Sequence, residues 1–251
     1  MRPILFWLGP YPVFSYGVFI VLGTVVLFAL ALGLGRRAGL AWADIVPVAL
    51  GAGIGGVVGA RLSHVLVEPQ KAQQLLDFYR LFQPGTPGNI IGLMIGGYVG
   101  GAAMRHSLSL PSSGNFYAPA MAAASVVWRI GCTLGGCCYG TETDLPWGIV
   151  LDGVRRHPTM VYEGLFNLLM LWVVWRLRAR IRRDNALLFL YFACYALFRF
   201  GLEFIRLYPR GLFGLTGIQY LCLGILLSLA IWRWQNRSSP GSIAVAEGSR
   251  G

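Results

Sequence analysis

Residues 14–34 read FSYGVFIVLGTVVLFALALGL, a run without a charged side chain. About twenty apolar residues in an α-helix cross the hydrocarbon core of a bilayer. Further apolar runs follow at about 45–66, 89–104, 116–136, 161–176, 186–205 and 217–233. The sequence therefore predicts an all-α, polytopic integral membrane protein with about seven transmembrane helices. The third and fifth runs are short, and a division into six spans is the alternative.

The composition agrees with a chain that is solvated mainly by lipid. Only 12% of the 251 residues are charged and 56% are hydrophobic, whereas soluble domains carry roughly 25% charged residues. We expect one transmembrane domain over 1–234 with short outer loops, then a polar, disordered cytoplasmic tail over 235–251. The first span is too long for the apolar core of a signal peptide, so it is expected to be retained.

The basic residues indicate an orientation. The net charge of +11 does not suggest a nucleic-acid partner, because these residues lie in short loops between spans. The loops after the first, third and fifth spans and the tail hold eleven of them: Arg36, Arg37, Arg105, Arg176, Arg178, Arg180, Arg182, Arg183, Arg233, Arg237 and Arg250. The other side holds seven: Arg2, Lys71, Arg80, Arg155, Arg156, Arg206 and Arg210. The richer side is cytoplasmic, which predicts an outside N-terminus and, in a bacterium, the inner membrane.

Three arginines fall inside or near the ends of apolar runs: Arg61, Arg129 and Arg199. A charge at the bilayer centre costs about 2.5–3.5 kcal/mol on insertion scales. Glu203 stands four residues after Arg199, close enough to pair with it, and Arg206 continues the same helix face. Snorkelling to the interface is one explanation. The other is that planar guanidinium groups bind a phosphate, and a phospholipid headgroup is the phosphate available at this depth.

Two segments on the predicted outer side carry further polar residues. RIGCTLGGCCYG at 129–140 contains glycines that break a helix, and irregular backbone is tolerated at membrane depth only where protein or a water-filled cavity covers it. RRHPT at 155–159 precedes the fifth span, with Tyr162 and Glu163 at its start. Thr159 is expected to cap that helix.

Several ordered motifs resemble the prolipoprotein diacylglyceryl transferase family. The resemblance extends from Gly9 to about Trp234 and rests on Gly9-Pro10, Tyr16-Gly17, Gly59-Ala60-Arg61-Leu62, Arg129-Ile130-Gly131, Gly140, Arg156-His157-Pro158-Thr159, Tyr162-Glu163, Phe198-Arg199, Glu203-Phe204, Arg206 and Gln219-Tyr220. The family transfers diacylglyceryl from phosphatidylglycerol to the thiol of a lipobox cysteine and releases glycerol phosphate. The resemblance therefore implies a phosphatidylglycerol-like phospholipid and a lipobox-containing preprolipoprotein as partners. No cofactor, metal or nucleic acid is expected.

The chain departs from the family at three positions. Ile90 stands where the family has a histidine, Cys132 replaces the signature asparagine, and Cys137 replaces its glutamate. The resemblance matches Arg129, Arg199 and Arg206 to functionally important arginines. The predicted catalytic residues are Arg129, Arg199, Cys137, Cys132 and His157. The predicted substrate-binding residues are Tyr16, Arg61, Glu203, Arg206 and Gln219.

The five cysteines divide into two groups. Cys194 and Cys222 stand alone in apolar spans and are interpreted as packing residues. For the cluster of Cys132, Cys137 and Cys138, inert packing, a disulfide or redox pair, and an active-site thiol remain open. Metal binding is least favoured, because His157 is the only imidazole nearby and no second Cys/His group stands at ligand spacing.

The incoming thiol must lose a proton, which requires a base. Our hypothesis is that Cys137 or Cys132 contacts the reacting centre, with His157 as the next choice and Tyr16 and Glu163 as weaker ones. A cysteine nucleophile would favour acyl transfer through a thioester, whereas a bystander cysteine preserves diacylglyceryl transfer. Two alternatives to a phospholipid-dependent transferase are a membrane thiol–disulfide oxidoreductase and a non-catalytic phospholipid-binding protein.

Overall fold

The computed structural model describes residues 2–67, 88–110, 114–151 and 153–235. The predicted tail from residue 236 onward lies outside the described residues, as do Lys71 and Arg80. Within these ranges the chain forms seven α-helices: α1 Ser15–Arg37, α2 Trp42–Val67, α3 Ile90–Ser107, α4 Tyr117–Gly135, α5 Thr159–Leu177, α6 Ala186–Leu202 and α7 Gly217–Gln235. Each coincides with one of the predicted apolar runs.

Five of these helical segments are long and apolar enough to cross a membrane, namely Ser15–Arg37, Trp42–Val65, Thr159–Leu177, Ala186–Ile205 and Gly217–Gln235. The remaining two differ in composition, since α3 is rich in glycine and α4 is rich in alanine and carries Arg129. A mostly helical chain with five candidate membrane spans is thus confirmed. The count of seven spans and the orientation of the termini stay predictions.

Glycines bring α2 and α3 into backbone contact. Gly51, Gly55 and Gly59 recur at every fourth position of α2 and face an equivalent series at Gly92, Gly96 and Gly100 in α3. A β-carbon added at Gly51 would lie 2.7 Å from the carbonyl oxygen of Gly100. Small residues at such spacing let membrane helices approach closely, so these two helices form one packed pair.

The pairing of α1 with α4 fixes the helix that carries Arg129. The indole Nε1 of Trp128 donates a hydrogen bond of 3.1 Å to the carbonyl oxygen of Ile20. The Trp128 ring fills the space where Gly23 has no side chain, and Phe19 covers Gly131 in the same way. These contacts set the rotation of α4 about its axis and therefore the side to which Arg129 points.

Two short β-hairpins, which the sequence did not predict, lie at one end of the bundle. Strands β1 (Ile4–Leu8) and β2 (Tyr11–Phe14) pair antiparallel. Strands β3 (Ile149–Leu151) and β4 (Val154–Arg156) do the same. The backbone N–H of Arg2 donates to the carbonyl oxygen of Leu134, which places the first hairpin beside the C-terminal end of α4.

The arginine-rich turn after α5 lies at the opposite end. Asn115, just before α4, donates to the carbonyl oxygen of Arg183 at 2.8 Å and accepts from the backbone N–H of Leu187 at 2.9 Å. The guanidinium of Arg183 lies 5.0 Å from the ring centroid of Trp232, near the end of α7. One end of the bundle therefore carries the hairpins and the other the basic turn.

Candidate functional site

A single carboxylate, Glu163, organises the polar interior at the hairpin end. It lies in the first turns of α5 and is completely buried. Arg129 forms an ion pair with its Oε2, and the Nη1 atoms of Arg199 and Arg206 donate to its Oε1 at 3.1 and 2.9 Å. One arginine from α4 and two from the C-terminal end of α6 and the segment after it thus converge on one acid.

A second buried acid holds Arg199 from the other side. Glu203 Oε2 lies 2.9 Å from Arg199 Nη2, which confirms the pairing expected from their four-residue spacing. Its Oε1 accepts a hydrogen bond of 3.2 Å from the Thr216 hydroxyl. Gln219 accepts from the Thr216 backbone N–H at 2.9 Å and donates to the carbonyl oxygen of Phe200 at 3.2 Å. Glu203 and Gln219 therefore position Arg199 and the start of α7.

The charges of this cluster do not cancel. The guanidinium groups of Arg129, Arg199 and Arg206 outnumber the carboxylates of Glu163 and Glu203 by one. A buried cation without a counter-charge is costly. The Nε–H of Arg206 is also buried without a hydrogen-bond partner among the described residues. The arrangement favours an additional anion that brings both a negative charge and acceptor atoms.

The Glu163 side of the cluster continues into a neutral polar network. The Tyr195 hydroxyl donates to Glu163 Oε2 at 3.1 Å, and the Asn167 amide donates to the Glu163 backbone oxygen at 2.8 Å. The Tyr191 hydroxyl in turn donates to the Asn167 side chain at 2.7 Å. The sequence indicated Glu163 only as a weak candidate base and did not single out Asn167, Tyr191 or Tyr195. Polar residues paired at four-residue spacing in apolar spans were the available signal.

The cysteine segment lies beside Arg129. α4 runs through Gly131 to Gly135, so the predicted break comes at Gly136, whose φ is +68°. The sulfur atoms of Cys132, Cys137 and Cys138 lie within 4.8 Å of one another, and all three thiols are free. Arg129 Nη1 lies 3.9 Å from the Cys132 sulfur.

Cys138 follows the end of α4, next to a loop segment that backbone contacts hold firmly. Gly140 donates to the carbonyl oxygen of His157 at 2.8 Å, and Thr141 donates to that of Ile205. A β-carbon at Gly140 would overlap the Ile205 backbone and the side chains of Thr159 and His157. The absence of a side chain at Gly140 therefore lets the cysteine loop pack closely against the segment that leads to Arg206.

His157 lies at the edge of this loop. Its Nδ1 is 3.3 Å from the Tyr162 hydroxyl, which accepts a hydrogen bond of 2.9 Å from Trp147 Nε1. The predicted capping role of Thr159 is wrong. Pro158 occupies the N-cap of α5, and the Thr159 hydroxyl donates instead to the carbonyl oxygen of Cys138. Thr159 is therefore used to hold the cysteine loop.

The remaining predicted residues lie on α1, α2 and α3. Tyr16 is near the start of α1 with its phenol within electrostatic range of the three thiols and Arg129. Arg61 on α2 is half-buried and within electrostatic range of Tyr16, whereas the ion pairs of Glu163 are with the other three arginines. Ile90 begins α3 and packs against the hydrophobic core.

The chain is similar to known proteins over almost its whole length. The family model described as prolipoprotein diacylglyceryl transferase matches residues 3–234. Similar proteins include one from Clostridium tetani, 28% identical over 84% of this chain and 88% of the relative. Another, from Solidesulfovibrio magneticus, is 30% identical over 91% and 90%, and one from Geobacter sulfurreducens is 30% identical over 81% and 82%. All three are named phosphatidylglycerol–prolipoprotein diacylglyceryl transferase.

Proposed function

The chain belongs to the prolipoprotein diacylglyceryl transferase family and is a transferase, and we propose that it moves a diacylglyceryl or related lipid group from a phosphatidylglycerol-type phospholipid to a thiol or other acceptor. The names of the relatives suggest a prolipoprotein as the acceptor, and we expect it to be a lipobox-containing preprolipoprotein. The reaction takes place at the outer face of the bacterial inner membrane.

The observation that carries this proposal is the single excess positive charge around Glu163 and Glu203. A phosphodiester headgroup brings one negative charge, which balances the three arginines and two glutamates. Its oxygens accept charge-assisted hydrogen bonds from guanidinium groups, and these bonds are strong when water is excluded. A phosphate oxygen also supplies an acceptor for the Nε–H of Arg206, which has no hydrogen-bond partner in the described part of the chain.

The three arginines have different access to such a headgroup. The Arg129 side chain is 12% exposed, against 4% for Arg199 and 5% for Arg206. Arg129 is accordingly the arginine that first contacts the phosphate, while Arg199 and Arg206 stabilise it from within. Tyr16 and Arg61 line the approach from α1 and α2, and Glu203 and Gln219 act by positioning.

The reaction follows from this placement. The acceptor sulfur forms a bond to the glycerol carbon, the carbon–oxygen bond breaks, and glycerol phosphate leaves with the electron pair. Guanidinium groups aimed at the leaving phosphate stabilise the charge that develops there. The acceptor's proton passes to a base, for which Cys137 or Cys132 is our first choice and His157 the second. The cysteines are favoured because the Cys132 sulfur lies beside Arg129.

The acyl chains of the phospholipid also require a binding site. A cavity of 280 Å³ lies between α1, α2, α3, α4 and α6, and Trp128, the neighbour of Arg129, lines it together with Phe28, Leu93 and Phe192. Ligand pockets are typically lined by apolar side chains with a small number of polar groups. We assign part of an acyl chain to this cavity, with the headgroup at Arg129.

The same proposal includes seven membrane spans with the N-terminus outside. It is supported by the positions of the candidate site and the basic turn at opposite ends of the helix bundle. The site lies at the hairpin end, and the basic turn around Arg183 lies at the other end. The positive-inside rule assigns the basic end to the cytoplasm. The headgroup site then faces outward, where secreted preprolipoproteins arrive.

The decisive experiment incubates the purified protein with phosphatidylglycerol and a lipobox peptide, followed by mass analysis of lipid and peptide. We expect the peptide to gain a diacylglyceryl group on its cysteine and glycerol phosphate to appear in equal amount. Phospholipid that copurifies and stays unchanged would indicate a binding protein. A peptide that gains only an acyl group would replace diacylglyceryl transfer with acyl transfer.

A further inference from the structure

The three clustered cysteines form a compact array that the transferase chemistry does not need as a set. Cys132 is buried in the last turn of α4, while Cys137 and Cys138 are half-buried in the loop beyond it. Their three sulfur atoms lie within 4.8 Å of one another. Of the described His, Cys, Asp and Glu residues, these three form the one group of this kind.

Contacts other than those between the sulfur atoms hold this array in place. The left-handed residue Gly136 turns the chain at the end of α4, and the backbone N–H of Cys137 donates to the carbonyl oxygen of Cys132 at 3.2 Å. Cys138 has a φ of +64°, which is uncommon for a residue with a side chain. Its carbonyl oxygen accepts from Thr159. The loop is therefore preorganised before anything binds to the sulfurs.

We propose that Cys132, Cys137 and Cys138 bind one soft, thiophilic metal ion in a three-coordinate thiolate site, and that monovalent copper is the ion that fits it best. Thiolates select soft ions such as Cu(I) and Zn(II). Structural zinc sites almost always use four ligands, and no fourth His, Cys, Asp or Glu joins the group within the described ranges. Three ligands suit Cu(I) better.

The charge around the array fits such a complex. Three thiolates and one Cu(I) ion carry two net negative charges, and the three thiol protons are released on binding. The Arg129 guanidinium, 3.9 Å from the Cys132 sulfur, offsets part of this charge. Because Arg129 also belongs to the Glu163 cluster, metal occupancy is coupled to anion binding and withdraws the thiols from any role as base. The metal site itself does not rest on the proposed transfer reaction.

The test uses full-length protein in detergent, reduced and freed of metal under anaerobic conditions, and titrated with Cu(I) in competition with the chromophoric chelator bicinchoninate. We expect one equivalent of Cu(I) per chain. Single serine substitutions at Cys132, Cys137 and Cys138 should each weaken binding by at least about tenfold. Cys194→Ser is the matched control, since it also removes one half-buried thiol but lies outside the array, and it should keep full affinity.

Two measurements on the unaltered protein do not depend on how the variants fold. X-ray absorption should find three sulfur neighbours around copper, and Cu(I) should protect three of the five cysteines from maleimide labelling. The proposal is overturned if the reduced protein binds no Cu(I), if Cys137→Ser binds as tightly as the parent, or if labelling is unprotected. Tighter retention of Zn(II) than Cu(I), or a four-coordinate spectrum, overturns the three-coordinate copper assignment.

Discussion

Oε1 of Glu163 accepts a hydrogen bond of 2.9 Å from Nη1 of Arg206, a residue 43 positions further along the chain. Both side chains are almost completely buried. Arg199 donates to the same oxygen at 3.1 Å, so two guanidinium groups share one carboxylate oxygen as their acceptor. A buried carboxylate used in this way fixes the spacing of the arginines, and this spacing is what a phosphate would meet.

Replacing Glu163 should therefore destabilise the protein strongly. Glu163→Gln keeps the shape but leaves three arginines without their central counter-charge, and breaking a buried ion pair from one side costs about 3–5 kcal/mol. The free energy of unfolding in detergent measures this cost. Glu142→Gln is the control, because that carboxylate is 70% exposed and pairs with Arg156 at 3.6 Å. It should lose less than about 1 kcal/mol. Equal losses in the two variants would contradict the central role of Glu163.

Arginine-to-lysine changes should separate positioning from charge. In Arg129→Lys and Arg199→Lys the charge remains, but the planar fork that binds two oxygens is lost. We expect transferase turnover to fall by about 100-fold in each, as for the loss of one donor to a developing anion. Arg180→Lys, at an exposed position of the basic turn, should turn over like the parent. Parental turnover by Arg129→Lys would exclude a specific headgroup contact at this residue.

The role of the cysteines in turnover can be measured in the metal-free protein. Cys132→Ser or Cys137→Ser should reduce turnover by about 100-fold, the typical contribution of a general base, while phospholipid binding stays intact. Arg129→Ala should weaken both turnover and binding. Full turnover by the double variant Cys132→Ser, Cys137→Ser would make the cluster unnecessary for transfer and return the role of base to His157.

The close packing of α2 on α3 predicts a position-dependent effect of adding one methyl group. Gly55→Ala should lose about 1–3 kcal/mol of stability, because the new β-carbon overlaps the backbone of Gly96 and Gly100. Gly53→Ala, on the same helix, meets only the Phe28 ring at 3.9 Å and should be neutral or stabilising. Thermal unfolding in detergent compares the two variants. A similar midpoint for both would argue against the glycine contact.

The orientation predicts which sites a membrane-impermeant reagent reaches. Single cysteines introduced at Ser112 and Ser238, in a background without the native cysteines, should stay unlabelled in intact cells and react after the membrane is opened. Ser112 and Ser238 lie outside the described residues, so labelling provides independent information. Labelling of either site from outside would reverse the topology.

The sequence by itself determined where the helices lie and which charged residues needed an explanation. Long apolar runs predict helices because lipid cannot hydrogen-bond the backbone, and this requirement acts within each segment. All seven runs accordingly appear as helices. The free-energy cost of placing Arg129 and Arg199 in apolar surroundings can be recognised from hydropathy alone. The Arg199–Glu203 ion pair can be recognised from helical spacing alone. Each of these predictions used local information.

The tertiary structure decided which charges meet. Arg129, Arg199 and Arg206 converge on Glu163 because each helix has a particular rotation about its axis. Contacts such as Trp128 with Gly23 set that rotation, and they join residues far apart in the chain. The close approach of Cys132, Cys137 and Cys138 likewise depends on the left-handed turn at Gly136 and on the hydrogen bond from the Thr159 hydroxyl to the carbonyl oxygen of Cys138. Hydropathy along one span contains no information on the rotation of its neighbour, so the partners of a buried charge become known only when the helices are packed.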